Sequence, residues 1–154
     1  MSEPATGIRT VPPLLFLAMF LLAWGIHRLS PLSLGLPAGP RMVIGGLLVV
    51  VTLAAIPYFF LRFHRAGTTF ETFSMPKTLV TDGLFRWSRN PGYIDLIVLG
   101  IGIAVFFDNV WVVFLMIPAI ILVRQEVILK EEAILESLFG DEYRRYKARV
   151  RRWL

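Results

Sequence analysis

The chain has 154 residues, 56% hydrophobic and 18% charged, with mean hydropathy +0.66. That is too apolar for an ordinary soluble domain, and one domain over 1–154 is the expectation at this length. Cysteine is absent, which excludes disulfides, thiolate metal sites and a cysteine nucleophile. The net charge of +5 lies beside apolar blocks, so it reads as the positive-inside bias of a membrane protein and not as a nucleic-acid surface.

Thr10 to Ile26 is an uncharged run of 17 residues, and Met42 to Leu61 is one of 20. A spanning helix needs roughly 20 apolar residues, so spans are predicted at about 11–27 and 42–61. Pro12 and Pro13 suit the first turn of the first helix. Pro57 predicts a kink in the second. Glu3 and one Arg precede the first run and no small-residue cleavage site follows, which does not read as a cleavable signal peptide. Leu29–Pro40, rich in Pro, Gly and Ser, reads as an outer loop.

Leu96 to Val123 holds 28 residues and a single charge, Asp108. It reads either as one long tilted helix or as a hairpin turning at Asp108-Asn109. Lys and Arg counts favour the hairpin. Arg62–Arg89 holds five and Arg124–Arg152 holds eight, against two in Arg28–Arg41 and one before the first run. Positive-inside places both rich segments in the cytoplasm. The expected fold is therefore all-α and integral to the membrane. It has four spans, the last two a hairpin over about 93–107 and 110–128, with both termini cytoplasmic. The arms are short, so the second continues beyond Val123 as a helix that leaves the bilayer.

The loop over 62–92 carries Phe70, Phe73, Leu79, Val80, Leu84, Phe85 and Trp87, too apolar for disorder, and is expected to fold back on the membrane face. After it comes the hairpin, then C-terminal helices over 124–152. From Arg124 to Phe139, Ile128, Leu135, Leu138 and Phe139 make one stripe. Glu131 and Glu132 fall inside that stripe, and Arg124 lies two turns before Glu131 on the same side. Gly140 reads as a helix stop and Asp141 as the next cap. Tyr143, Tyr146, Val150 and Trp153 recur at helical spacing. The six basic residues from Arg144 to Arg152 suit an anionic membrane surface.

Two carboxylates on an apolar stripe are costly unless paired. They either bind a cation or polar cofactor, or pair with loop arginines and staple the loop down. Arg86-Trp87-Ser88-Arg89-Asn90-Pro91-Gly92-Tyr93 leads into the third span. Asn-Pro fixes a turn and starts a helix, and Arg89 and Tyr93 sit one turn apart at the lipid boundary. A basic anchor with an interfacial Tyr would look the same. Asp95 is unusual near the start of an apolar helix. His27 and His64 lack metal-ligand spacing, and no metal is expected.

The order Leu79-Val80-Thr81-Asp82-Gly83-Leu84-Phe85, Arg89-Asn90-Pro91-Gly92-Tyr93, a hairpin, Glu131-Glu132, and Phe139-Gly140-Asp141-Glu142-Tyr143-Arg144-Arg145-Tyr146 resembles the isoprenylcysteine carboxyl methyltransferase family. It is also similar to the phospholipid methyltransferases. The likeness covers about residues 65–152. It implies an S-adenosylmethionine-dependent membrane methyltransferase whose cofactor pocket forms at the cytoplasmic face, from the loop before the hairpin and the helices after it. By the resemblance, Lys77, Thr78, Leu79, Val80, Phe85, Asn90, Pro91, Gly92, Tyr93 and Glu131 hold the cofactor. Arg89, Glu132 and Arg124 are the catalytic candidates, Arg124 standing in for a substrate arginine where this chain has Val127. Asp95 replaces a glycine common in the family, and Gly92 a Met or Ser. The implied acceptor is lipid-like or small and apolar, reached from the bilayer of what is expected to be a prokaryotic inner membrane. The competing readings are an NADPH-binding relative of the membrane sterol reductases and a non-catalytic scaffold that binds anionic lipid.

Overall fold

The computed structural model describes residues 10–67 and 75–154. Among them the secondary structure is helical, without strands. The helices are α1 (Pro12–Leu29), α2 (Ala38–Arg65), α3 (Pro91–Phe106), α4 (Val110–Val123) and α5 (Leu129–Arg149). A 3-10 turn spans Gly83–Arg86, and a π-helical stretch, Arg124–Ile128, joins α4 to α5. Among the described residues three helices are long and apolar enough to cross a membrane: α1, α2 and the continuous run Val110–Arg149; α3 is apolar but shorter. Phe70 and Phe73 of the loop lie outside the described residues.

Both expected spans extend beyond their apolar runs. α1 reaches Leu29, and α2 takes in Ala38–Arg41 at its start and Arg62–Arg65 at its end. Basic residues close both helices, where they complement the unsatisfied carbonyls. Pro12 and Pro13 open α1 as expected, and α2 runs on through Pro57.

The chain divides into two compact units. The first unit described here, the frame, comprises residues 11–56 and 95–122. The apolar block breaks at the expected place: α3 ends at Phe106 and α4 begins at Val110. Asp108 takes the left-handed conformation (φ 55°) that the turn requires. Asn109, fully buried, caps α4 by accepting from the Trp111 N–H at 3.0 Å. The Gly100 Cα faces the Met116 sulfur, so α3 and α4 lie side by side as a hairpin. Its tip is clasped by the loop between α1 and α2. Asp108 accepts from the Ser33 hydroxyl (2.7 Å) and the Leu34 N–H (2.9 Å), and Arg41 stands 3.9 Å away. The Trp111 indole donates to the Ser30 carbonyl (2.7 Å). α2 and α3 approach at Gly45, where an added Cβ would lie 2.5 Å from the Phe106 nitrogen and 2.8 Å from the Gly102 carbonyl. Small residues permit such approach in helices whose surroundings are as apolar as they are. Ala23, Ala104 and Val112 form the frame's core, with Phe20 and Trp111 packed on it.

The second unit contains Pro57–Ile94 and Val123–Leu154. It is built from the end of α2, the loop, the first turn of α3, and the helix beyond α4. α5 is bent at Gly140 (φ 48°), the expected stop, although helix resumes at once. Asp141 does not cap it; its carboxylate is taken by the Arg144 side chain at 2.7 Å.

Candidate active site at the loop and α5

The loop hangs from the end of α2. Thr78 Oγ1 donates to the Ala66 carbonyl (2.7 Å), Arg62 pairs with Asp82, and the Phe85 ring meets Phe63 edge-on with centroids 5.6 Å apart. The 3-10 turn is then fixed from the other side, because the buried Tyr146 donates its hydroxyl to the Phe85 carbonyl at 2.7 Å.

From Ser88 to Asn90 the chain lies against residues 151–152. The Arg89 N–H donates to the Arg151 carbonyl (2.9 Å). The Arg152 carbonyl accepts from Ser88 Oγ (3.1 Å) and from Asn90 Nδ2 (3.0 Å). Ser88 Oγ also accepts from the Asn90 N–H (3.0 Å), the short side chain-to-backbone bond that favours turns. Ser88 and Asn90 are buried, so these bonds satisfy groups that would otherwise be orphaned. The Asn90 carbonyl accepts the Tyr93 and Ile94 N–H groups, and Pro91, which has none to offer, opens α3.

This arrangement brings Tyr93 to Glu131. The Tyr93 hydroxyl lies 3.0 Å from both carboxylate oxygens and donates to the pair. Glu131 stands beyond the apolar arm that ends at Val123. Burial pushes its carboxyl up to about 7; the Tyr93 hydrogen bond opposes that rise and the neighbouring Glu132 charge adds to it.

Glu132 has the opposite fate. Arg152 grips it with two bonds of 2.8 Å, Nε to Oε1 and Nη2 to Oε2, and Arg89 Nη1 lies 3.0 Å from Oε1. Burial disfavours its charge, but the Arg152 hydrogen bonds, with the charges of Arg89, Arg152 and Lys147, outweigh that and hold the carboxyl below its ordinary range. Arg89 also donates from Nη1 to the Tyr143 hydroxyl (3.3 Å), while its buried Nε has no hydrogen-bond partner among the described residues. The two acids thus divide the two roles that the stripe left open. Glu132 staples loop and tail, whereas Glu131 keeps one neutral partner.

Of the residues anticipated from the sequence, Arg89, Asn90, Pro91, Gly92, Tyr93, Glu131 and Glu132 come together at the start of α3 and of α5. Thr78, Leu79 and Val80 make no hydrogen bond to Tyr93, Glu131 or Glu132. Thr78 is tied to Ala66 after α2, Lys77 is exposed, and the Phe85 ring packs on Phe63. Arg124 is exposed and has no side-chain partner among the described residues. It opens the π stretch, where each turn takes an extra residue. A position counted at α spacing from Glu131 therefore does not hold for it. Asp95, half-exposed in α3, has no hydrogen-bond or ion-pair partner among the described residues.

Sequence reasoning missed Arg152 and Tyr143. Arg152 counted as one of six bases on a membrane-facing helix, but α5 ends at Arg149 and Val150 is extended, which turns Arg152 back to Glu132. The available signal was stoichiometric: two acids on an apolar stripe call for more than one cationic partner.

The chain matches the phospholipid methyltransferase family over residues 40–142. It is 42% identical over 62 residues to an uncharacterized protein of Haemophilus influenzae, a stretch that is 40% of this chain and 98% of that protein. It is 32% identical over 72 residues to the protein-S-isoprenylcysteine O-methyltransferase of Schizosaccharomyces pombe, covering 47% of this chain and 30% of the yeast enzyme's length. No solved structure matches it. The matched region is most of the chain and contains the Asn90–Tyr93 turn, the hairpin, Glu131 and Glu132, and the chain belongs to the phospholipid methyltransferase family.

Proposed function

We propose that the protein is a four-span membrane methyltransferase that uses S-adenosylmethionine and methylates a lipid-like or small apolar acceptor. The observation that carries this reading is the Tyr93–Glu131 hydrogen bond. It joins the Asn-Pro-Gly-Tyr turn to the first acid of the pair across 38 residues of chain. A half-buried carboxyl with a single neutral partner fits a cofactor that brings an ammonium and ribose hydroxyls. Glu131 would accept from those groups, Tyr93 would orient it, and Asn90, Pro91 and Gly92 would shape the turn beside it. The Lys77–Val80 strip and Phe85 would supply backbone groups and an apolar wall for an adenine. When bound, the cofactor supplies an electrophilic methyl on a sulfonium, and its transfer is helped by a site that excludes water.

This chain's residues would then position and shield. Arg89 and Glu132 hold the turn and α5 together. A carboxylate or thiolate acceptor needs no base; an amine or hydroxyl would. Arg124, on the exposed side of the π stretch, is the proposed contact for the acceptor's polar end.

The test is calorimetric binding of S-adenosylmethionine and S-adenosylhomocysteine to the detergent-solubilised protein, with NADPH as control. Micromolar binding of the first two alone is expected. NADPH binding, or none by folded protein, would replace this reading with the reductase or scaffold reading. The topology is tested by labelling single cysteines introduced at Lys77 and Lys147. Both are expected on the cytoplasmic side, and labelling from opposite sides would sink a shared pocket.

A further inference from the structure

The polar cluster behind Glu131 has unbalanced charge. Arg89 and Arg152 share the single carboxylate of Glu132. The Arg89 and Glu132 side chains are 9% and 10% exposed, and Arg152 is 26% exposed. Tyr143, the remaining hydrogen-bond partner of Arg89, is neutral in its ordinary state and contributes no negative charge. Among the described residues two guanidiniums pair with one carboxylate in this largely desolvated cluster, since the neighbouring Glu131 bonds to Tyr93 and not to either arginine, and a charge without its own partner is expensive there. The surplus has an address. Arg152 spends Nε and Nη2 on Glu132, whereas among the described residues Arg89 spends only Nη1, and its buried Nε has no hydrogen-bond partner there. An arginine offers paired N–H groups suited to a planar carboxylate.

We infer that Arg89 is an anion-binding residue that receives a ligand carboxylate, with Glu132 and Arg152 fixing its guanidinium and supplying the charge imbalance. This rests on the proposed function for its ligands. The carboxylate comes either from the amino-acid end of the cofactor or from the methyl acceptor. The first source is favoured by sequence adjacency: Glu131, the proposed ammonium partner, precedes Glu132, so both ends of one amino acid meet neighbouring residues. The arrangement also separates two jobs that Arg89 could be given. As a staple it needs only Nη1; as a receptor it needs the unpartnered edge.

The test compares S-adenosylhomocysteine with its carboxamide analogue by calorimetry on the full chain in detergent. The wild type is expected to bind the carboxamide at least tenfold more weakly. Arg89→Gln is expected to bring the two ligands within threefold. Arg152→Gln, which removes the surplus charge while leaving the Arg89–Glu132 pair, is expected to shrink the ratio too. Because the ratio is internal to each protein, a general loss of fold does not imitate it, and Arg152→Gln keeps the test alive if Arg89→Gln misfolds. If the wild type binds both ligands equally, the second source is tested with decanoate against decanol. A decanoate preference that Arg89→Gln or Arg152→Gln abolishes assigns the carboxylate to the acceptor. No carboxylate preference in either arm overturns the inference but leaves the methyltransferase reading standing. Failure of S-adenosylhomocysteine to bind at all strikes that reading, and the decanoate arm still decides this one.

Discussion

The two units are held together by different physics. In the frame, helices meet through glycine and alanine, at Gly45, Gly102, Ala23 and Ala104, and polar contacts gather at the hairpin tip. In the other unit, loop, tail and α5 are tied by buried hydrogen bonds and by charges: Ser88, Asn90, Tyr93, Arg89, Glu131, Glu132 and Arg152. A frame in lipid gains little from hiding apolar surface, so it depends on close fit. A polar site with low exposure depends on every donor and charge being matched. The frame should therefore be sensitive to volume, and the site to charge.

Substitutions that keep volume but change charge, or the reverse, put this contrast at risk. The largest effect is expected at Glu132. Glu132→Gln is nearly isosteric yet strands two guanidiniums, and should cost about 3 kcal/mol of stability, read as a fall in unfolding temperature in detergent. A neutral outcome would mean the cluster is hydrated. Gly45→Val changes no charge and should cost about 2 kcal/mol through overpacking against the α3 backbone. Its folded fraction should bind S-adenosylhomocysteine within about threefold of wild type, and a larger binding defect would blur the division of labour.

Glu131→Gln should do the converse. Cofactor affinity falls about tenfold, or about 1.4 kcal/mol, while unfolding temperature at pH 8 holds or rises, because the neutral side chain no longer opposes burial. The wild-type pH dependence sharpens the same point. The Glu131 carboxyl, raised to about 7, would hold the proposed ligand's ammonium only when ionised. Affinity should climb about tenfold from pH 6 to pH 8, and Glu131→Gln should flatten the curve. The sign for the ligand-free fold is opposite. A raised carboxyl contributes stability at low pH that is lost as pH rises through about 7. The smallest effect is expected at the hairpin: Asn109→Ala removes a helix cap, worth about 1 kcal/mol, and should leave binding untouched.

Much of the fold was legible because its signals are local. Uncharged runs gave α1 and α2, the single polar pair Asp108-Asn109 gave the break between α3 and α4, and Gly140 gave the bend in α5. The candidate site was half legible. Asn-Pro-Gly-Tyr and Glu131-Glu132 stand out as polar groups where apolar ones are expected. Their partners do not, since Arg152 is indistinguishable in sequence from the arginines around it and reaches Glu132 only because the chain turns extended at Val150. The direction in which Arg124 faces was not legible for a related reason. Helical spacing assumes an α-helix throughout, and the π stretch is invisible to a periodicity count.

That stretch makes the facing of the acids a matter of counting. Between Val123 and Glu131, where Val127 and Ile128 are buried, the direction in which the acids face follows from the number of residues and the winding that carries them. Deleting one residue, Gln125 for instance, would let the segment relax to ordinary α winding, absorbing the loss without breaking the rod. Deleting two would swing Glu131 and Glu132 about 100° around the axis, away from Tyr93 and Arg152, although every residue of the site would still be present. The protein thus carries a phase as well as a composition, and a length change of two residues at an exposed, unremarkable place would disarm it as surely as removing the acids.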